Sequence, residues 1–169
     1  MTDVLTTPRL RLRPLTASEA DVAAWVEMHA DPRVNEFVGS YTREAAVKRL
    51  EHVERQWAER GHNLFAVESL ADGRFLGRSG LQYWEQWDEV EASWTYRADA
   101  HGHGYALEAA SAFLQWGWRT LDVPFVIAMI APANTPSIRL AEKLGFTPRG
   151  REQRFGRETI VYRLSRPGS

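Results

Sequence analysis

The sequence contains no cysteine in its 169 residues. This absence excludes disulfide bonds, thiolate ligands for a metal and any reaction that needs a cysteine nucleophile. A surplus of basic charge is also missing, because 21 Lys and Arg residues are offset by 22 Asp and Glu residues, for a formal net charge of -1. Proteins that bind nucleic acid through its phosphates usually carry such a surplus, so we expect no nucleic-acid partner.

Long apolar stretches are lacking as well. No run approaches ~18 uninterrupted apolar residues, the length that a membrane span requires. The first fifteen residues carry Arg9, Arg11 and Arg13 where a signal peptide would have its apolar centre. We therefore predict a cytoplasmic protein with no membrane partner. The length suits one hydrophobic core, and no repeat or linker interrupts the chain, so a single domain over residues 1–169 is expected.

Hydrophobic periodicity predicts an alternation of strands and helices. An opening strand at residues 9–13 precedes two helices, the first capped by Thr16 and the second running from Thr42 to Gly61. The remaining predicted elements are strands at 64–67, 75–81 and 90–96, a helix at 104–120, a strand at 125–130, a helix capped by Thr135 and ended by Gly145, and a strand at 159–164. This order predicts a mixed sheet of the α+β class, which by itself indicates no function.

The strand at residues 90–96 has one apolar and one polar face. Side chains alternate along a strand, which puts Val90, Ala92, Trp94 and Tyr96 on one side and Glu91, Ser93 and Thr95 on the other. A polar face on a central strand indicates that it lines a cleft.

Two closely spaced glycines lie between this strand and the next helix, in the run His101-Gly102-His103-Gly104-Tyr105-Ala106. Glycine adopts positive φ readily, and a helix N-terminus adds unpaired amides and a favourable dipole. Such a corner suits a pyrophosphate. The alternative is that Gly102 and Gly104 only make a tight turn into the helix.

Two segments resemble motifs of the GNAT superfamily of N-acetyltransferases. Residues 91–96 followed by 102–109 resemble its acetyl-CoA motif, and are most similar to the branch that includes ribosomal-protein N-terminal acetyltransferases. About thirty residues later, Asn134-Thr135-Pro136-Ser137 and the helix ending in Gly145-Phe146 resemble its second motif. The resemblance implies a twisted, mostly antiparallel sheet of about six or seven strands, with helices on both faces and a splayed strand pair that binds acetyl-CoA.

The resemblance also assigns residues to a coenzyme site in which acetyl-CoA is the acetyl donor. Trp94 and Tyr96 would contribute backbone contacts, the amides of residues 101–106 would hold the pyrophosphate, and Asn134 would bind the pantetheine. Lys143 could reach a phosphate, or it could be a solvated lysine at a helix end.

The chain departs from the family pattern at two positions. Asp99 stands where Gln or Arg is frequent, and its carboxylate would repel phosphate unless it points away or Arg97 compensates for it. Ala141 stands where many relatives carry a tyrosine that acts as general acid. The second departure shifts the acid role toward Ser137.

Acetyl transfer from a thioester requires a neutral amine, a polarised carbonyl and a proton for the leaving thiolate. Glu91 is our candidate base, because it faces the predicted cleft and matches a recurrent acidic position in the resembled branch. Its alternative is an ordinary solvated glutamate. Ser137 is our candidate for protonating the thiolate or binding its sulfur, and its alternative is a first-turn serine that satisfies backbone amides.

Histidines and tryptophans provide the remaining candidates. His101 and His103 form a H-x-H pair without a third ligand nearby, so we predict no metal site. Trp84 and Trp87 lie between strands, where they could wall an acceptor pocket or make a dimer contact. Three other tryptophans fall on helical stripes and are predicted to lie in the core: Trp25, Trp57 and Trp116.

These observations predict an acetyl-CoA-dependent N-acetyltransferase that acetylates a primary amine, either a protein N-terminus or a small molecule. The alternative is a non-catalytic acyl-CoA-binding sensor or subunit. A nucleotide-binding domain is disfavoured because the chain has no Gly-Lys-Ser/Thr phosphate loop. A monomer and a homodimer are both compatible with the sequence.

Overall fold

The computed structural model describes residues 3–168 as one eight-stranded sheet with helices on both faces. Within these residues, no helix has both the length and the apolar character needed to cross a bilayer. The strands are β1 Leu5–Thr6, β2 Leu10–Pro14, β3 Leu64–Ser69, β4 Phe75–Trp84, β5 Glu89–Tyr96, β6 Phe125–Ile130, β7 Thr147–Arg154 and β8 Arg157–Ser165. The helices are α1 Glu19–Ala30, α2 Pro32–Asn35, α3 Arg43–Arg60, α4 Tyr105–Thr120 and α5 Thr135–Leu144, with a short 3₁₀ turn at Ala98–Ala100.

The strand order is β1-β2-β3-β4-β5-β6-β8-β7, and every neighbouring pair is antiparallel except β5 and β6. The prediction of a mixed, mostly antiparallel sheet is confirmed, although the sheet has eight strands instead of six or seven. The two-residue strand β1 is too short to show a periodicity. Strand β7 was not recognised because seven of its eight residues are exposed and only Arg154 is buried, so it has no apolar alternation.

The parallel strands β5 and β6 separate soon after they meet. Among the described residues, Glu91 and Ile127 form the one registered pair between them. Beyond that pair β5 continues to Tyr96 and β6 to Ile130, so a gap opens toward the carboxyl ends of both strands. This arrangement confirms the splayed strand pair. Along this gap, the facing edges of β5 and β6 have backbone amides and carbonyls that do not pair with each other.

Helices α4 and α5 cover one face of the sheet, and α1 and α3 cover the other. On the first face, Phe113 of α4 is fully buried in a cluster that includes apolar residues of β2 to β6. On the second face, Trp25 of α1 and Leu50 of α3 pack against Leu64 and Ala66 of β3. The core positions predicted for three tryptophans are confirmed, since they pack in these two clusters: Trp25, Trp57 and Trp116.

Two predicted helix caps were wrong by one or two residues. Helix α1 is capped by Ser18, whose hydroxyl accepts from the Asp21 amide at 3.2 Å, while Thr16 donates its hydroxyl to the Asp21 carboxylate at 2.7 Å. Helix α5 is capped by Asn134, so Thr135 is already its first residue. In both places several adjacent residues can act as caps, and the tertiary contacts decide between them.

Candidate active site

A solvent-exposed glycine corner joins β5 to α4 at the mouth of the gap. Gly102 and Gly104 have φ of +79° and +80°, values that an L side chain rarely adopts. Gly104 is the N-cap of α4, and among residues 3–168 no side chain caps that helix. The first amides of α4, beginning at Tyr105 and Ala106, therefore have no intrahelical acceptor, which leaves them available to an anion. The structure thus brings the residues predicted to bind an anion together at one exposed corner.

The start of α4 is fixed from behind by the segment that precedes β2. The Glu108 carboxylate accepts from the Thr7 hydroxyl at 2.6 Å, the Arg9 amide at 3.0 Å and the Arg9 Nε at 2.7 Å. The Arg9 guanidinium lies 4.5 Å from the centre of the Tyr105 ring. The His103 ring stacks on the same Tyr105 ring, with 5.4 Å between the ring centres. These contacts hold the glycine corner in one position before a ligand arrives.

The two histidines of the corner do not converge on a common point. The His101 Nε2 lies 2.9 Å from the carbonyl oxygen of Tyr96, at the end of β5, whereas His103 stacks on Tyr105. Among the described residues, no group of three or more His, Asp and Glu side chains is placed to hold a metal ion.

Asp99, the acidic departure from the family pattern, is neutralised by two arginines. Its carboxylate forms an ion pair with Arg97 at 3.3 Å and another with Arg74. The hydrogen bond from Arg97 is the largest influence that lowers the pKa of Asp99. The charge that would repel a phosphate is therefore offset locally, in part by Arg97, as the sequence reasoning required.

Ser137 and Trp94 meet across the gap, on the face that α4 and α5 cover. The indole Nε1 of Trp94 donates to the Ser137 hydroxyl oxygen at 2.8 Å, and the Trp94 ring contacts the Phe146 ring edge-on at 6.2 Å. The Ser137 amide donates to the Asn134 side-chain oxygen at 3.4 Å. Because the indole can only donate, it occupies a lone pair of the hydroxyl and leaves the hydroxyl hydrogen available to another acceptor.

Glu91 lies at the point where the two strands part, with its side chain on the face that α1 and α3 cover. Its Oε1 accepts from the Trp84 indole at 2.8 Å and from the Gln82 amide at 3.2 Å. Only 7% of the residue is exposed, so it is not the solvated glutamate that the alternative reading required. Burial raises the pKa of Glu91, and the bond from Trp84 and the charges of Arg78 and Arg49 oppose that rise.

The two candidate catalytic residues therefore lie on opposite faces of the sheet, beside the same gap. Glu91 and Trp94 are three positions apart on β5, so their side chains point in opposite directions. Trp94 holds Ser137 on one face, while Glu91 is anchored on the other. A thioester lying in the gap could be reached by a proton donor from one side and by an acceptor amine from the other.

Trp84 and Trp87 form an aromatic cluster with a residue that the sequence reasoning missed. The Trp84 and Trp87 rings are 6.1 Å apart, and the Phe155 ring lies 5.1 Å and 5.2 Å from them. Phe155 is at the tip of the β7–β8 hairpin, has φ of +53° and is 60% exposed. The cluster adjoins Glu91 through the hydrogen bond of the Trp84 indole.

The remaining predicted residues have less distinctive positions. Lys143 is exposed in the last turn of α5. Tyr96 is buried against α4. Its ring packs so closely on Gly77 that a Cβ at that glycine would lie 2.6 Å from a ring carbon. Ala141 is fully buried, and its methyl side chain has no proton to donate.

Two arginines near Glu91, one half-buried and one buried, were also missed by the sequence reasoning. Arg49 lies on α3 and contacts the Gln82 side-chain oxygen, and Arg78 lies on β4 with 6% of its surface exposed. Arg49 is three residues after Ala46 and four before Val53, both on the buried stripe of α3. A charged residue at such a stripe position was the signal available in the sequence.

Comparison with known proteins agrees with the geometry. The family described as acetyltransferase (GNAT) domain matches residues 9–147. The N-acetyltransferase p20 of Bacillus licheniformis is 26% identical over 171 residues, which cover 96% of this chain and 95% of that protein. The solved acetyltransferase of Agrobacterium tumefaciens is 30% identical, with a TM-score of 0.86 over 97% of this chain and 95% of its own. A ribosomal-protein-S5-alanine acetyltransferase of Vibrio fischeri, 14% identical with a TM-score of 0.78 over 98% of each chain, shares the fold.

Proposed function

Since this chain belongs to the GNAT acetyltransferase family, we propose that it transfers an acetyl group from acetyl-CoA directly to a primary amine, with Glu91 as base and Ser137 as proton donor. The observation that carries the proposal is the bond from the Trp94 indole to the Ser137 hydroxyl, at the side of the gap opposite Glu91. Acetyl-CoA supplies the thioester carbonyl and the thiolate leaving group.

The glycine corner is proposed to hold the pyrophosphate. The exposed amides around Gly102 and Gly104, at the uncapped start of α4, present positive dipoles to an anion. The Asn134 side-chain amide and the backbone of β5 are proposed to orient the pantetheine arm, and Lys143 to reach a phosphate. No part of this chemistry calls for a metal.

Glu91 is proposed to take a proton from the acceptor ammonium. At pH 7, deprotonating an amine of pKa near 8 costs roughly 1.4 kcal/mol, whereas deprotonating a lysine-like amine costs about 4.6 kcal/mol. The raised pKa of Glu91 makes its carboxylate a better proton acceptor than a solvated glutamate. Its burial beside Trp84 also keeps bulk water from competing with the amine.

Ser137 is proposed to direct its hydroxyl hydrogen to the sulfur as the carbon–sulfur bond breaks. The nitrogen forms its bond to the carbonyl carbon and releases a second proton as the amide forms. This proton restores the Ser137 hydroxyl, so the thiol gains one proton and Ser137 ends the reaction as it began it. The position of Ser137 in the first turn of α5 also places the positive end of the helix dipole near the developing thiolate. Trp84, Trp87 and Phe155 are proposed to wall the acceptor pocket.

The test is a thiol-release assay with acetyl-CoA and a panel of N-terminal peptides, polyamines, aminoglycosides and free amino acids. Ser137→Ala and Glu91→Gln are compared with exposed controls, Ser111→Ala on α4 and Glu51→Gln on α3. We expect release with at least one class of amine, lost in the first two variants and kept in the controls. Acetyl-CoA that raises the melting temperature without any release would overturn catalysis in favour of a binding protein.

A further inference from the structure

Two guanidinium groups lie on the same face of the sheet as Glu91 without a carboxylate of their own. Within residues 3–168, neither Arg49 nor Arg78 forms an ion pair, whereas Arg13 and Arg154 pair with carboxylates at 2.7 Å and 3.0 Å. Tyr41 acts on both guanidinium groups and forms a side-chain hydrogen bond with Arg49, and Glu91 is the one carboxylate whose charge acts on both. Arg78 is buried and Arg49 is half-buried, and we call the two the arginine pair.

Arg78 is held by neutral groups. Its Nη1 donates to the Ser93 hydroxyl at 3.2 Å, its Nη2 lies 3.3 Å from His29 Nε2, and its plane covers the Trp25 ring at 4.8 Å. Its Nε is buried and has no acceptor among the described residues. Burial, as the main cause, lowers the pKa of Arg78 to about 10, which still leaves the group charged at neutral pH.

His29 cannot supply the missing negative charge and does not compete for it. Its Nδ1 lies 2.8 Å from the carbonyl oxygen of Trp25, so Nδ1 carries the hydrogen and Nε2 accepts from Arg78. Burial and the charge of Arg78 lower the pKa of His29 to about 3. The ring is therefore neutral, so the two guanidinium groups have the hydroxyl of Tyr41 and the single carboxylate of Glu91 as their nearby titratable partners.

An unpaired buried cation is costly, and such groups are normally matched by a carboxylate or by a ligand. Arg49 bridges toward Glu91 through the Gln82 amide, since Gln82 accepts from Arg49 and donates to Glu91. The arginines and the proposed base have room in their charge balance for one more negative group. We take the acceptor to be the source of that group. Its ammonium can lie at Glu91 while its anionic group lies against the arginines.

We infer that the amine acceptor carries a carboxylate close to its amino group, bound by the arginine pair Arg49 and Arg78 while Glu91 receives the amine. This inference rests on the proposed function and narrows it to amino carboxylates. It disfavours polyamines, whose cationic chains would meet a positive pocket. It also disfavours peptide N-termini, which carry a neutral amide at the corresponding position.

The test compares matched acceptors in the thiol-release assay. Phenylalanine, leucine and methionine are each measured beside the amide and the decarboxylated amine with the same side chain. We expect kcat/KM to be about tenfold or more higher for at least one amino acid than for both of its partners, the effect of one charge-assisted pair. Equal or faster release from the amide or amine would overturn the inference and leave the acetyltransferase proposal standing.

Variants separate recognition from folding. Arg49→Met, in which the partly exposed member of the pair is lost, is expected to remove the preference by slowing the amino acid alone. Arg55→Met, exposed on the same helix, is the control and keeps the preference. Arg78→Met should act in the same direction as Arg49→Met, and if it does not fold, the Arg49 variant still decides.

A binding measurement covers the case in which no amine in the panel is acetylated. With CoA present, N-acetylphenylalanine should raise the melting temperature of the wild type more than N-acetylphenylethylamine does, and Arg49→Met should abolish the difference. An equal shift for both ligands, or a difference that Arg49→Met preserves, would overturn carboxylate recognition independently of catalysis.

Discussion

A hydrogen bond of 2.8 Å joins the Trp94 indole nitrogen on β5 to the Ser137 hydroxyl oxygen at the start of α5. The two residues are 43 positions apart in sequence and lie on either side of the gap between β5 and β6. This bond fixes the direction of the hydroxyl without using its hydrogen, because the indole has only a donor to offer. This geometry is the basis of the proposal that Ser137 donates its hydrogen to the leaving thiolate.

Replacing Ser137 should therefore slow turnover more than it weakens coenzyme binding. We expect Ser137→Ala to lower kcat by about a hundredfold, and Trp94→Phe to lower it by about tenfold, because the phenylalanine ring fills the site without orienting the hydroxyl. Steady-state kinetics and calorimetric titration with acetyl-CoA measure the two effects. A loss of affinity as large as the loss of rate would argue that Ser137 only caps and packs α5.

Glu91 should control the acidic limb of the pH–rate profile. A base acts when it is deprotonated, so the rate should rise as pH increases through the pKa of Glu91, which burial raises above its usual range. Glu91→Gln should flatten this limb and lower kcat by about a hundredfold or more. The profile is measured as kcat and kcat/KM from pH 5 to 9, with Glu51→Gln as the exposed control.

An acceptor of low basicity provides the internal check. Such an amine is already neutral over most of this range and needs little help from a base. The defect of Glu91→Gln should therefore shrink when the weakly basic acceptor replaces an ordinary amine. A defect of the same size with both acceptors would show that Glu91 supports the structure of the pocket instead of removing a proton.

The glycine corner should be sensitive to a single methyl group. An alanine at Gly102 or Gly104 would have to keep a φ near +80°, a strain of about 1 kcal/mol, or turn the amides away. Gly73, in the β3–β4 turn, has φ of +73° and open space around it, so Gly73→Ala is a matched control with similar strain. We expect acetyl-CoA affinity, measured by calorimetry, to fall about tenfold in the first two variants and to stay unchanged in the third. Equal affinities in all three would place the phosphate elsewhere.

His29 should make the folded state less stable in mild acid. Its pKa is lowered to about 3 by burial and by Arg78, whereas an unfolded histidine titrates near 6.5. Between these values the unfolded chain binds a proton that the folded chain refuses, so stability falls as pH falls from 6.5 toward 3. From pH 7 to pH 5 this single group removes about 2 kcal/mol from the free energy of unfolding.

Urea denaturation at pH 7 and pH 5 measures this contribution. His29→Gln should lose about 2 kcal/mol less than the wild type between the two pH values. His103→Gln, which changes an exposed ring, should follow the wild type. If His29→Gln is as sensitive to acid as the wild type, the buried ring is not the cause.

Much of this fold could be predicted because its elements carry clear periodic patterns. The helix stripe of α4 and the continuous apolar run of β6 are local signals, and each was placed to within a residue or two. Strand β7 gives no such signal, because its residues are exposed and its place is fixed by pairing with β8. Its hairpin with β8 also positions Phe155, so the third aromatic residue of the cluster was missed with the strand.

Part of the candidate site could likewise be predicted from local patterns, and part could not. The glycine corner and the Asn134-to-Ser137 segment are contiguous in sequence and were recognised as motifs. Arg49 and Arg78 belong to different elements, and their lack of carboxylate partners depends on the contacts between α3 and β4. A sequence reports the number of charges but does not show which of them lack a partner.

Over residues 3–168, β5 and β6 share one registered pair, so the two halves of the sheet depend on helices to hold them together. Helix α4 packs on β2, β4 and β5, α5 packs on β6, and the two helices pack on each other. A pantetheine arm, with its two amides, would insert between the halves as a substitute strand. Coenzyme binding should therefore slow amide hydrogen exchange in β5 and in β6 together, and the substrate would complete the fold of its own enzyme.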